Sequence, residues 1–153
     1  MNTKFFFAAV LSLATLASCD KNDNNDNSNI VEKSGLSLSG SQEVPERVTP
    51  ATGTMNVRYD KGTRMLSFTV NWQNLTVEPI GSHIHGPAPR GVNAGVKFDF
   101  TAPLPKTTSG TYNGSVMVDG TTIKEDSLLN GFYYVNIHTA TYPGGEIRGQ
   151  IEF

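Results

Sequence analysis

The chain has 153 residues, and a hydrophobic fraction of 37% is enough for one globular domain. Fifteen glycines and eight prolines argue against a helical bundle or a coiled coil and predict frequent turns, while a single cysteine excludes an intramolecular disulfide and a cysteine-based zinc site. The formal charge of −2 leaves no basic excess to neutralise phosphates, so we expect no nucleic-acid partner.

The N-terminus has the features of an export signal. Lys4 precedes an apolar stretch, residues 5–16, that is too short to span a bilayer and suits the hydrophobic region of a signal peptide. The stretch runs into Leu-Ala-Ser-Cys at 16–19, which resembles the lipobox of bacterial lipoproteins. The resemblance implies that residues 1–18 are removed and that Cys19 is acylated, with palmitate as one chain. An ordinary secretory signal with an incidental cysteine is the alternative.

Residues 19–34 are predicted to be the lipidated cysteine and a disordered tether. The segment 20–29 contains five Asn and three Asp and no apolar residue, so it cannot contribute to a core. We expect the mature protein to be lipid-anchored in the bacterial cell envelope on the extracytoplasmic side. In the outer membrane it would be either periplasm-facing or surface-exposed.

Residues 35–153 alternate apolar and polar side chains with a period of two, which predicts strands with one buried face. The clearest strand covers 66–72, and further strands are predicted at 55–60, 96–100, 133–138 and 146–153, with weaker candidates at 36–44, 82–85 and 110–118. About eight short strands separated by glycine and proline turns predict one antiparallel Greek-key β-sandwich. A short helical turn is expected where Thr122 and Glu125 have capping-box spacing.

Three short motifs stand out, and two of them contain all three histidines of the chain. Leu-Ser-Gly-Ser-Gln-Glu-Val-Pro occupies 38–45, His-Ile-His-Gly-Pro-Ala occupies 83–88, and Val-Asn-Ile-His-Thr at 135–139 is followed by Pro-Gly-Gly-Glu-Ile-Arg-Gly-Gln at 143–150. In this order they resemble the CHRD domain, named for chordin, over residues 36–152. The resemblance implies an immunoglobulin-like or superoxide-dismutase-like sandwich in an extracytoplasmic protein, and it implies little about activity.

The alternation predicts the direction in which the histidines point. If Ile84 faces the core, the histidines on either side of it face outward. If Val135 and Ile137 also face the core, Asn136 and His138 face outward on their strand. We therefore expect one polar outer surface formed by His83, His85, Asn136, His138, Glu146 and Arg148.

Two roles are open for this surface. Three imidazoles on neighbouring strands can bind Zn²⁺ or Cu²⁺, with Glu146 or water completing the shell, and Asn136 and Arg148 are candidate ligand contacts beside them. Alternatively the histidines are structural, and each ring bonds a loop carbonyl. The chain has too few histidines for the copper and zinc sites of a superoxide dismutase.

As function we expect a non-catalytic binding or structural module of the cell envelope, because no Gly-x-Ser-x-Gly elbow is present and the lone cysteine is expected to carry lipid. One alternative is a Cu- or Zn-binding protein that uses the three-histidine surface site, with a redox role as an option. A second alternative is a glycan-binding module that presents Tyr133, Tyr134 and Tyr142. The expected partners are thus the membrane, through the lipid, and a protein, glycan or metal ligand.

Overall fold

The structure is a computed structural model that describes Met1 and residues 29–153. Cys19, the rest of the predicted signal peptide and the tether up to residue 28 lie outside the described residues. The strands are β1 (Ile30–Ser39), β2 (Thr52–Asp60), β3 (Met65–Gln73), β4 (Pro79–His85), β5 (Val96–Asp99), β6 (Gly110–Met117), β7 (Tyr133–Thr139) and β8 (Ile147–Ile151). A 3₁₀ turn (Gly40–Gln42) follows β1, and helix α1 (Glu125–Leu129) precedes β7.

All eight strands belong to one antiparallel sheet with the order β5-β4-β7-β8-β1-β2-β3-β6. The predicted all-β antiparallel domain of about eight strands is confirmed. The Greek-key sandwich is not confirmed. β1 pairs along its length with β2 and also pairs with β8 at Ser39 and Arg148, so all eight strands form one continuous sheet rather than two separate ones. Alternation in the sequence identifies the buried face of each strand, but it does not determine which strands are neighbours.

Aromatic side chains bring the two ends of this sheet together. Phe68 on β3 packs edge-on against Phe100, with ring centroids 5.3 Å apart, and Phe100 stacks on Tyr112 of β6 at 5.2 Å. Within residues 29–153 no backbone ladder joins β5 to β6. The rings therefore complete a nearly barrel-shaped sheet through packing rather than through hydrogen bonds.

The interior is filled by the apolar residues that the alternation assigned to the inner face. From β2, β3, β7 and β8 they are Met55, Val57, Tyr59, Leu66, Phe68, Val70, Trp72, Val135, Ile137, Ile147 and Ile151, all buried. Their packing supplies the apolar burial that holds the sheet closed.

β1 begins earlier than the sequence suggested. Residues 30–34, expected in the tether, pair with β2 from Ile30 opposite Asp60 onward. Glu32, Lys33 and Ser34 are exposed, so this half of the strand buries no face and carries no period-two signal. Backbone hydrogen bonds to β2 hold it in place.

The expected helical turn is present, but its predicted cap is wrong. α1 begins at Glu125 after Lys124, which makes no side-chain capping bond. Upstream, Oδ1 of Asp119 accepts the backbone N–H groups of Thr121 and Thr122, so a turn occupies the residues assigned to a capping box. In the described part of the chain, no helix has the length and hydropathy needed to cross a membrane.

Candidate functional site

The outer face of β4 and β7 carries all three histidines. In the β4–β7 ladder His83 lies opposite Asn136, and Gly81 lies opposite His138. Ile84, between the two β4 histidines, is fully buried on the inner face. The histidines therefore point to the side that the alternation predicted.

The three rings form one cluster. Nδ1 of His83 is 3.0 Å from Nε2 of His138, and the ring centroids of His83 and His85 are 5.4 Å apart. One ring nitrogen from each histidine lies within 4.8 Å of those of the other two. Gly81 allows the close approach, since a Cβ at that position would lie 3.2 Å from Cε1 of His83 and 3.4 Å from Cδ2 of His138.

Two of the rings have a tautomer fixed by loop carbonyls. Nδ1 of His85 is 2.9 Å from the carbonyl oxygen of Ala94, and Nδ1 of His138 is 2.8 Å from that of Pro143. Because a carbonyl oxygen only accepts, both Nδ1 atoms carry the hydrogen and both Nε2 atoms keep a lone pair. Nε2 of His85 is buried and has no hydrogen bond of good geometry.

His83 lies on the open side of the cluster. Its Nε2 is 3.8 Å from Oδ1 of Asp99, which is the opposite residue on β5. The side chains of His83 and Asp99 are 19% and 62% exposed, so solvent reaches the cluster from this side. The sequence analysis did not select Asp99. Its position between Phe98 and Phe100 in an alternating strand indicates only that it faces outward.

Burial lowers the pKa of all three histidines below 6.5. Asp99 partly opposes this shift at His83, as the loop carbonyl of Ala94 does at His85. The rings are therefore neutral near pH 7, and neutral imidazole is the form that binds a metal ion.

The outer face is covered by a loop and is not the exposed surface that we expected. Asn136 and Arg148 are 3% and 1% exposed. Nη2 of Arg148 donates to the carbonyl of Val92 at 2.9 Å, and its guanidinium lies 3.4 Å above the ring of Tyr134. Pleat parity gives the side of the sheet on which a residue lies, but it does not show that residues 86–95 fold over that side.

Glu43 is a buried acid behind the cluster. It is 3% exposed, and its Oε1 and the Nδ2 atom of Asn136 both lie so close to Gly145 that a Cβ there would overlap them. Burial raises the pKa of Glu43 to about 7, although the charge of Arg148 and a contact with Asn136 act to lower it. Glu43 belongs to the Leu-Ser-Gly-Ser-Gln-Glu-Val-Pro motif at 38–45, which the sequence did not place beside the histidines.

Glu146 is held apart from the histidines by three threonines. Its carboxylate accepts hydrogen bonds from the hydroxyls of Thr49, Thr76 and Thr139 at 2.6, 3.0 and 2.7 Å. β8 begins at Ile147, so the outward parity of that strand does not extend to Glu146. The residue chosen from the sequence to complete a metal shell therefore has another role, which is to link loops at the end of the sheet.

The tyrosines do not form the sugar-stacking surface of the glycan alternative. Tyr133 and Tyr134 are buried, and the ring of Tyr134 stacks on that of His85 at 4.9 Å. Tyr142 donates its hydroxyl to the carbonyl of Val48 at 2.7 Å. Their rings thus serve packing and loop attachment.

Residues 35–151 match the CHRD domain, a span that includes all three histidines and the covering loop 86–95. The chain belongs to the CHRD-domain family. Comparisons with curated proteins and with solved structures found no match. The CHRD match supports a non-catalytic module of the extracellular type.

The histidine cluster of this CHRD domain is surrounded by acceptor groups. Within residues 29–153 the rings hydrogen-bond to carbonyls, an amide and one another, and His83 also lies 3.8 Å from the carboxylate of Asp99. With Nδ1 of His85 and His138 donating to carbonyls, the Nε2 lone pairs of both rings remain in the cluster, where one nitrogen of each histidine lies within 4.8 Å of the others.

Proposed function

We propose that this chain is a lipid-anchored, non-catalytic binding module of the bacterial cell envelope, held outside the cytoplasm by acylated Cys19. The CHRD match over residues 35–151 supports a module of the extracellular type, and the lipobox-like sequence at 16–19 supports the anchor. The observation that carries the binding role is the cluster of His83, His85 and His138 beside the loop that covers the outer face.

Substitution of the cysteine tests the anchor. We expect Cys19→Ala either to move the protein from the detergent phase to the aqueous phase on phase partitioning, because the acyl chains are lost, or to leave it unprocessed with residues 1–18 attached, which a larger mass on the gel reveals. Ser18→Ala is the matched control, since it keeps a small residue before the cysteine, and it should be processed and partition like the wild type. A Cys19→Ala protein of wild-type mature mass that partitions into detergent like the wild type would show that lipid on Cys19 is not the anchor.

A second candidate function, binding of one Zn²⁺ or Cu²⁺, is favoured by the geometry of the rings. Ligand nitrogens around a tetrahedral zinc ion lie about 3.4 Å apart, and the His83–His138 nitrogen pair is at 3.0 Å. The carbonyls of Ala94 and Pro143 accept the Nδ1–H of His85 and His138, as carbonyls do beside metal-bound histidines. Solvent access beside His83 provides an entry path for the ion.

Thermal unfolding separates the metal-binding role from the structural one. If the rings are ligands, Zn²⁺ raises the melting temperature of the wild type and has no effect on His85→Ala or His138→Ala, because binding to the folded state alone stabilises it. If the rings only attach loops, Zn²⁺ leaves the wild type unchanged, and both variants melt lower to the same degree with Zn²⁺ and with chelator. The second result would remove the metal-binding candidate.

A further inference from the structure

In the orientation that the structure shows, the groups around His138 offer more hydrogen-bond acceptors than hydrogens. Its Nδ1 is 2.8 Å from the carbonyl of Pro143, and its Nε2 is 2.9 Å from Oδ1 of Asn136. A neutral imidazole has one N–H and can donate to only one of these oxygens.

A hydrogen on His83 does not resolve the conflict. If Nδ1 of His83 donates to Nε2 of His138, across 3.0 Å, that nitrogen is satisfied. Oδ1 of Asn136 then still faces a nitrogen lone pair with no hydrogen between them. Two acceptors at this distance repel each other.

Glu43 lies on the far side of the Asn136 amide. Oδ1 of Asn136 faces Nε2 of His138, and Nδ2 lies with Oε1 of Glu43 against Gly145. A flipped amide could donate to Nε2 of His138, but it would turn its oxygen towards Oε1 of Glu43, and two oxygens can hydrogen-bond only if one of them carries a hydrogen. The orientation in the structure instead directs an amide N–H at the carboxyl oxygen and the amide oxygen at the histidines.

His85 adds a further lone pair to the same region. Its Nδ1 donates to Ala94, and its buried Nε2 has no hydrogen bond of good geometry. Nitrogen lone pairs and one amide oxygen thus converge where a hydrogen-bond donor is missing, and a cation supplies what all of them require.

We infer that Oδ1 of Asn136 is the fourth ligand of a divalent cation held by the three histidines, and that Glu43 is a positioning residue that orients the amide. The inference rests on the metal-binding function proposed above and replaces Glu146 as the residue that completes the shell. All four ligands come from β4 and β7, with His83 and Asn136 directly opposite each other. Three imidazoles and one amide oxygen suit Zn²⁺ or Cu²⁺.

Charge near the site agrees with this assignment. The four ligands are neutral, so the ion keeps its double positive charge. Glu43 lies behind Asn136, and Asp99 is 3.8 Å from the outer nitrogen of His83. Asp99, and Glu43 in its ionised form, would stabilise a divalent cation that the neutral ligands alone do not neutralise.

Competition with a chromophoric chelator for Zn²⁺, on the full-length chain, tests the assignment. We expect Asn136→Ala to weaken Zn²⁺ binding about 10–100-fold and Glu43→Gln to weaken it about tenfold, the range typical of groups that complete or orient a metal shell. Asn136→Asp keeps an oxygen ligand at nearly the same volume and should bind far better than Asn136→Ala. Asn113→Ala on the outer side of β6 and Glu46→Gln in the loop of Glu43 are exposed matched controls and should bind like the wild type.

A Co²⁺ spectrum of the wild type gives a readout that a merely structural role would not move. Four-coordinate Co²⁺ should absorb strongly in the visible range, and Asn136→Ala should weaken or shift the bands as water takes the vacant position. If Asn136→Ala does not fold, the wild-type spectrum alone still tests whether the ion is four-coordinate. Wild-type affinity for Zn²⁺ with no change in Asn136→Ala, or a wild-type Co²⁺ spectrum that is not four-coordinate, would overturn the role of Asn136 and leave the three histidines as ligands. No binding of Zn²⁺ or Co²⁺ by the wild type would overturn the metal function itself.

Discussion

At the scale of single residues, the outer layer of the sheet holds charged groups that most domains leave in solvent. Arg148 is the largest fully buried side chain, and it is stabilised by the carbonyl of Val92 and by the ring of Tyr134 rather than by a close carboxylate. Guanidinium can make these contacts because it is planar and weakly hydrated. Its positive charge in turn acts on Glu43 and lowers the pKa of that acid against the effect of burial.

The buried Glu43 should make the free energy of unfolding fall as the pH rises. Burial raises its pKa from 4.5 to about 7, while Arg148, Arg47, the Val44 amide and Asn136 act to lower it. The folded state therefore binds the proton more tightly than the unfolded state does. The contribution of protonated Glu43 to the free energy of unfolding is complete below the pKa of Glu43 in the unfolded chain, and it is lost as the pH rises through about 7.

Glu43→Gln should remove this dependence, because glutamine resembles the protonated acid at every pH. In metal-free protein we expect the variant to gain up to about 3 kcal/mol of unfolding free energy relative to wild type between about pH 5 and pH 8. Urea denaturation across that range measures the gain. Glu46→Gln is the exposed control and should follow the wild type. Parallel curves for wild type and Glu43→Gln would mean that Glu43 is ionised in the fold as in water.

At the scale of strands, the sequence predicts inner faces well and boundaries less well. Period-two alternation correctly assigned the residues of β2, β3 and β7 to the inner face, because each strand buries one side only. It failed for residues 30–34 of β1, where exposed side chains leave only backbone pairing as the cause of the strand. It also failed at Glu146, one residue before β8, because the pleat does not continue through a turn.

The nearly barrel-shaped closure depends on the aromatic contacts between β3, β5 and β6. We expect Phe100→Ala to lower the free energy of unfolding by about 3–5 kcal/mol, because it leaves a cavity where Phe68 and Tyr112 now meet a common ring. Urea denaturation of the purified chain measures the loss. Phe132→Ala, at a side chain that is 39% exposed, is the matched control and should cost much less. A loss for Phe100→Ala no larger than that of the control would show that the rings do not hold the edges together.

At the scale of the whole molecule, one sheet serves two purposes. Its inner face provides an apolar core, and its outer face across β4, β7 and β8 holds a polar layer covered by residues 86–95. The parity of β4 and β7 predicted the gathering of the three histidines. The contact of Glu43 with Asn136 could not be predicted, because it joins residues distant in the chain through a loop that carries no periodic signal.

We propose that the three outward imidazoles form one site that binds one ion, and isothermal titration of the full-length chain with Zn²⁺ measures that uptake. We expect one ion per chain with a Kd below about 1 µM, and loss of that binding in His138→Ala. Wild-type protein that takes up no Zn²⁺ with this affinity, or His138→Ala that binds as tightly as the wild type, would contradict it.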